Sequence, residues 1–257
     1  MSDTGGRSLS WPALRRATPA RIGLGRSGTG LPTAAHLDFQ LAHARARDAV
    51  HAPFDAEAIA AQVRDCGLEA ILLRSAAGDR AAYLRRPDLG RWLHPESRER
   101  LIARPASPID VVFVIADGLS AIAVHAHAGA LLAATLGRLD PALRIGPVAI
   151  VEGGRVAIGD EIGGIFGAAL AAVLIGERPG LSVADSLGVY ITWQPAPGAL
   201  DAARNCLSNI HAAGLPIAPA AERLAALLEA AWRHRVTGVA LGQRLAAETS
   251  PLIGQGG

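Results

Sequence analysis

Cysteine is scarce in this chain: two among 257 residues, Cys66 and Cys206, far apart and in no CxxC pair. That excludes a disulfide scaffold, a zinc module and a thioredoxin-type redox site, and it fits a reducing cytoplasm. Lysine is absent, so the 25 cationic side chains are arginine, set against 23 carboxylates for a net charge of +2. A balance that close gives no reason to expect nucleic acid or an anionic membrane as partner. Arginine suits planar contacts to carboxylates and amides at interfaces, although a GC-rich genome produces the same bias. Long apolar runs are missing as well. Residues 119–136 carry His125 and His127, and residues 162–176 are short and interrupted by glycine. Neither matches the ~20 predominantly apolar residues of a spanning helix, so both read as buried elements rather than membrane spans. Arg15 and Arg16 are followed by no apolar run, so no signal peptide is expected.

What remains is a chain that is 50% apolar and only 4% aromatic. Ala, Leu, Val and Ile supply the core of one large domain or a domain plus an extension. Residues 1–32, rich in Gly, Pro, Ser and Arg, read as an arm. Thr33 is the expected N-cap of a helix to about residue 50, with Leu37, Leu41 and Ala44 on one face. A second helix follows Asp55 and stops at Gly67. Residues 69–74 suit a short strand, while 75–108 are polar, proline-interrupted and carry no readable pattern. From Ile109 the signal sharpens. Residues 109–115 form a β-branched run of the kind buried on both faces of a sheet. A helix to about 136 follows, then strands at 147–151, 172–175 and 189–193, a helix from 160 to about 170, and an amphipathic helix over 219–234. Strands alternating with helices predict an α/β fold with a parallel sheet and helices on both faces. Ligands bind such sheets outside the carboxyl ends of the strands. The loops opening at Asp117, Glu152, Glu177 and Gln194 are therefore expected on one edge.

Single motifs carry little. Gly23, Gly25 and Gly28 match GxGxxG, but a dinucleotide fingerprint needs a strand before it and a helix opening on it; Pro19 and Pro32 bracket this one. A tight loop presenting Arg21 and Arg26 is the expectation. His125 and His127, two apart, point about 200° away from each other on a helix and cannot share a metal. Asp160 and Glu161 stand where a helix starts, which makes a cap or dipole role the default. Glu177 stands on the ligand edge, where a functional carboxylate and a simple pair with Arg178 weigh evenly. Cys206 has no neighbouring His to activate it and reads as a small buried side chain. No catalytic set and no metal site emerges.

Three long stretches say more. Residues 20–34 (ARIGLGRSGTGLPTA) with 43–51 (HARARDAVH), then 114–122 (VIADGLSAI), then 154–164 (GRVAIGDEIGG), 174–196 (LIGERPGLSVADSLGVYITWQPA) and 203–211 (ARNCLSNIH), resemble in order the signatures of the ethanolamine ammonia-lyase small subunit. The resemblance implies a Rossmann-like domain over 106–257, preceded by the arm at 1–32 and a helical region at 33–105. It implies the small subunit of a carbon–nitrogen lyase that turns ethanolamine into acetaldehyde and ammonia with adenosylcobalamin, in a hetro-oligomer. A large TIM-barrel subunit would bind most of the substrate, and the small subunit would close on the cofactor, which carries the radical chemistry. The family's small-subunit cobalamin contacts fall here on Val156, Glu177 and Cys206. Cys206 is not expected to ligate cobalt. The resemblance admits packaging into a bacterial microcompartment, but the short lead before Arg21 argues against it. Two other classes compete: a stand-alone nicotinamide oxidoreductase, and a non-catalytic interaction module.

Overall fold

The structure, a computed structural model, describes residues 10–249. The first nine residues of the expected arm lie outside the described residues. The chain runs α1 (Trp11–Arg16), α2 (Thr33–His51), α3 (Ala56–Asp65), β1 (Ala70–Arg74), α4 (Arg80–Arg85), a 3-10 turn (Leu89–Arg91), α5 (Pro95–Ile102) and β2 (Val111–Ala116). It continues with α6 (Ala121–Leu136), β3 (Val148–Glu152), α7 (Ile158–Phe166), β4 (Leu170–Gly176), β5 (Leu187–Trp193), β6 (Arg204–Ile210), α8 (Ile217–His234) and α9 (Val239–Thr249). Among the described residues no helix is long and apolar enough to cross a membrane.

Among the described residues, six strands form one sheet in the order β1-β3-β2-β4-β5-β6. The first four are parallel, and β2 and β4, apolar throughout, are buried along their whole length. The last two correct the expectation of a parallel sheet: β5 runs antiparallel to β4, and β6 antiparallel to β5. The cause is the connection at 177–186, which contains no helix. A parallel crossover needs a dozen or more residues, so the chain turns straight back. Gln194 therefore lies at the opposite edge from Asp117, Glu152 and Glu177, because Trp193 pairs with Leu170 at the start of β4.

Helices α3, α6 and α8 cover one face through Ile59, Val63, Val124, Leu131, Leu224 and Leu228. Helices α5 and α7 cover the other through Leu101, Ile158 and Ile162. Asp55 caps α3 as its sequence predicts, accepting from Ala58 N–H at 2.9 Å. The cap expected at Thr33 is absent: the cap position is Pro32, and no side chain closes that helix. Asp160 and Glu161 do sit in the first turn of α7, yet neither is a simple cap. Asp160 grips Arg204 of β6 through two bonds of 2.6 and 2.7 Å, with both side chains nearly inaccessible. Glu161 accepts from Leu93 N–H at 2.7 Å and pairs with Arg98. These bonds fasten α7 to the antiparallel end of the sheet on one side and to the 75–108 region on the other.

Candidate functional site

The 75–108 region, unreadable in sequence, builds the support for the turn after β3. Tyr83 is buried, its hydroxyl donates to Gly154 O at 3.2 Å, and Arg155 N–H donates to Gly90 O at 2.7 Å. The guanidinium groups of Arg80 and Arg155 lie 5.0 and 5.3 Å from the Tyr83 ring centre, within cation–π range. The turn thus held presents Val156, half-buried, against the core under α7.

Glu177 follows directly from β4. Its Oε2 accepts from Ser186 Oγ at 2.5 Å and from Asn209 N–H at 3.2 Å, and not from the neighbouring Arg178. Oε1 receives no hydrogen bond among the described residues, so one acceptor oxygen stays available. Asn209 reaches Glu177 because β6 is bulged. Leu187 pairs with Ile210 and Val189 with Leu207, so Gly188 alone faces Ser208 and Asn209. The extra residue adopts a left-handed conformation, with φ 61° at Asn209. Bulges re-aim a strand in this way, and here the freed N–H turns onto the carboxylate. Gly188 leaves room for the carboxylate: a Cβ there would fall 2.9 Å from Oε1.

Cys206 pairs in register with Tyr190. It is exposed, not buried as its sequence context suggests. It shares a strand face with Arg204, which bonds to α7, so Tyr190, Cys206 and Ser208 lie on the α7 side of the sheet. There α7 ends its cover and leaves a concavity of about 520 Å³, lined by Val156, Ala157, Arg155 and Tyr190. Burial, then the nearby Cys206, pushes Tyr190 up to about 12, so the phenol stays neutral. Desolvation also pushes the Cys206 thiol upward, against the opposing effect of the Tyr190 hydroxyl. It is a thiol rather than an activated nucleophile.

Val156, Glu177 and Cys206 come from three separate segments; Tyr190 links them, lining the concavity with Val156, pairing with Cys206 and feeling the charge of Glu177. Tyr190, Ser186 and Asn209 were not singled out in sequence. The alternation of Gly188, Tyr190 and Thr192 marks a strand face that includes Tyr190, while Ser186 and Asn209 carry no sequence signal because a loop and a bulge place them. The glycine-rich arm is a set of turns: Gly23, Gly25 and Gly28 all have positive φ, no strand precedes them among the described residues, and Arg21 donates to Leu181 O at 3.3 Å beside the Glu177 loop. His125 accepts from Asp55 N–H and stacks on Phe54.

Fold and site together define an α/β protein whose mixed sheet leaves a concavity beside α7 uncovered. The model of the family described as "Ethanolamine ammonia-lyase light chain (EutC)" matches residues 9–242. An ethanolamine ammonia-lyase small subunit of Azotobacter vinelandii is 53% identical over 250 residues, covering 96% of this chain and 92% of the relative. Those of Pseudomonas syringae pv. tomato and Ralstonia nicotianae are each 51% identical, covering 94% and 96% of this chain and 85% and 92% of the relatives. The chain belongs to the ethanolamine ammonia-lyase light-chain family.

Proposed function

We propose that this chain is the small subunit of an ethanolamine ammonia-lyase, and that Val156, Glu177 and Cys206, with Tyr190 among them, form its face toward adenosylcobalamin. The observation that supports this reading is that residues from three segments all neighbour Tyr190 beside the open concavity. A partner subunit completes the site, as the small-subunit names of the relatives imply. By family resemblance that partner is a large TIM-barrel subunit holding most of the ethanolamine pocket. The residues present fit the cofactor. Val156 and the Tyr190 ring offer apolar contact for a macrocycle, and the small Cys206 side chain allows close approach. Glu177 Oε1 is a free acceptor for a corrin amide N–H, and a charge-assisted bond of that kind is among the stronger ones available. When bound, adenosylcobalamin supplies the 5′-deoxyadenosyl radical by homolysis of its cobalt–carbon bond. The chain's own residues hold the ring, fix its rotation through Glu177, and keep water from one side of it.

The test is ammonia release from ethanolamine with adenosylcobalamin present. The purified chain alone should give none, and adding the large subunit should restore turnover. Turnover by the lone chain would overturn the subunit reading, as would a large subunit fully active without it.

A further inference from the structure

A second polar crevice lies on the same edge of the sheet, away from the residues just assigned. Neighbouring strands β3 and β2 lead to opposite faces, β3 into α7 and β2 into α6. In open α/β sheets such a reversal opens a crevice outside the carboxyl ends, where ligands bind. Here it is a cavity of about 190 Å³, walled by Ser75, Arg80, Asp117 and Glu152, with His51 and Phe54 completing it.

Arg80 is only partly satisfied. Its Nε donates to Val50 O at 2.8 Å, and its Nη1 to Asp117 Oδ2 at 3.0 Å and Gly118 O at 2.7 Å. Its Nη2 is buried with no acceptor, an arrangement that costs free energy unless something supplies one. Asp117 is 4% exposed, and both its oxygens are committed, Oδ2 to Arg80 and Oδ1 to Gly153 N–H at 2.8 Å. The Glu152 side chain is exposed and makes no hydrogen bond or ion pair among the described residues. The crevice therefore presents a buried unused donor on Arg80 and an unpaired carboxylate on Glu152.

Charge narrows what fits. Asp79, Asp117 and Glu152 outnumber Arg74 and Arg80 in the lining, which disfavours an anion. The spare N–H of Arg80 disfavours a simple cation. A neutral group with both an acceptor and a donor satisfies the two sides, and a primary carboxamide is such a group. A water takes about 30 Å³ of liquid, so the cavity has space for about half a dozen non-hydrogen atoms, enough for an amide on a short arm. The crevice also adjoins the Glu177 turn: Leu119 N–H donates to Gly176 O at 2.9 Å, and a Cβ at Gly176 would fall 2.1 Å from Ser120 O.

We infer that this crevice receives a primary carboxamide arm of the corrin, its carbonyl accepting from Arg80 Nη2 and its N–H donating to Glu152. The assignment rests on the cofactor reading given above and adds an anchor to it at the crossover of the sheet. The test is an absorbance titration of the assembled two-subunit enzyme with cobalamin and with its monocarboxylic acids, each carrying a carboxylate in place of one peripheral amide. Wild type should bind one monoacid poorly, because the new carboxylate meets Glu152 and Asp117. Glu152→Gln should recover about fivefold or more of that loss, and Glu152→Ala should weaken cobalamin itself about tenfold. If no monoacid's relative affinity depends on residue 152, the crevice holds no arm and the assignment is overturned. Glu177→Gln in the same titration separates the two claims. Loss of affinity there with residue 152 silent overturns only the crevice. Unchanged affinity in the Glu177 and Glu152 variants alike overturns the cofactor face as a whole.

Discussion

The parallel and antiparallel ends of the sheet are built to different purposes. In the parallel part, β2 and β4 are wholly buried between helices on both faces, and their side chains do nothing but pack. In the antiparallel part, β6 keeps Leu207 and Ile210 toward the core while Cys206 and Ser208 stay exposed on the other face. One buried exception, the Asp160–Arg204 pair, ties that open end to α7 and so fixes the distance between the Val156 turn and Cys206. The contrast teaches where function sits in this fold: the parallel strands supply a rigid floor, and the site forms where helical cover stops.

The sharpest break between the two ends is in stability. Phe113→Ala empties a fully buried position in β2 and should cost about 3–5 kcal/mol, whereas Cys206→Ser on the open face should stay within about 0.5 kcal/mol. Denaturant unfolding of both variants checks the pair; comparable losses would erase the distinction.

A smaller effect distinguishes the edge between the two ends. Burial pushes Asp117 up to about 6 from an ordinary 3.8, even though Arg80 and the Gly153 and Gly154 N–H groups oppose the rise. Between those values the folded chain holds more protons than the unfolded one, so this group's contribution falls as pH rises. The loss is complete above the folded value and absent below the unfolded one, and amounts to about 3 kcal/mol at most. Asp117→Asn has no such titration. Its thermal midpoint should decline less than that of the wild type from pH 4 to pH 7, and an unchanged slope would place the titration elsewhere.

The same contrast explains what the sequence revealed. Strands β2, β3 and β4 were legible because burial on both faces demands continuous apolar runs. Helices α3, α6 and α8 were legible from caps and periodicity. Strand β6 was not, because RNCLSNI alternates short polar residues with apolar ones at an edge and carries a bulge. The direction of β5 is set by the helix-free connection at 177–186 and not by its apolar pattern, so strand alternation alone puts Gln194 on the wrong edge, and with β6 unread Cys206 reads as buried. The 75–108 region gave no pattern because its helices are short and its role is made by single contacts, such as that of the Tyr83 hydroxyl to Gly154. Val156, Glu177 and Cys206 are legible only through resemblance to a family. Residue spacing alone left Glu177 evenly balanced between a site and a local ion pair.

The most direct measurement is the affinity of the assembled two-subunit enzyme for adenosylcobalamin with Glu177→Gln. Ser186 and Asn209 donate to Oε2, so the Gln carbonyl takes that place and the substitution keeps the fold while putting an NH2 donor where the free Oε1 accepted. A charge-assisted hydrogen bond contributes about 1.5–3 kcal/mol, so absorbance titration should show binding weakened by about tenfold or more. Binding as tight as that of the wild type would contradict the placement of Glu177 at the cofactor.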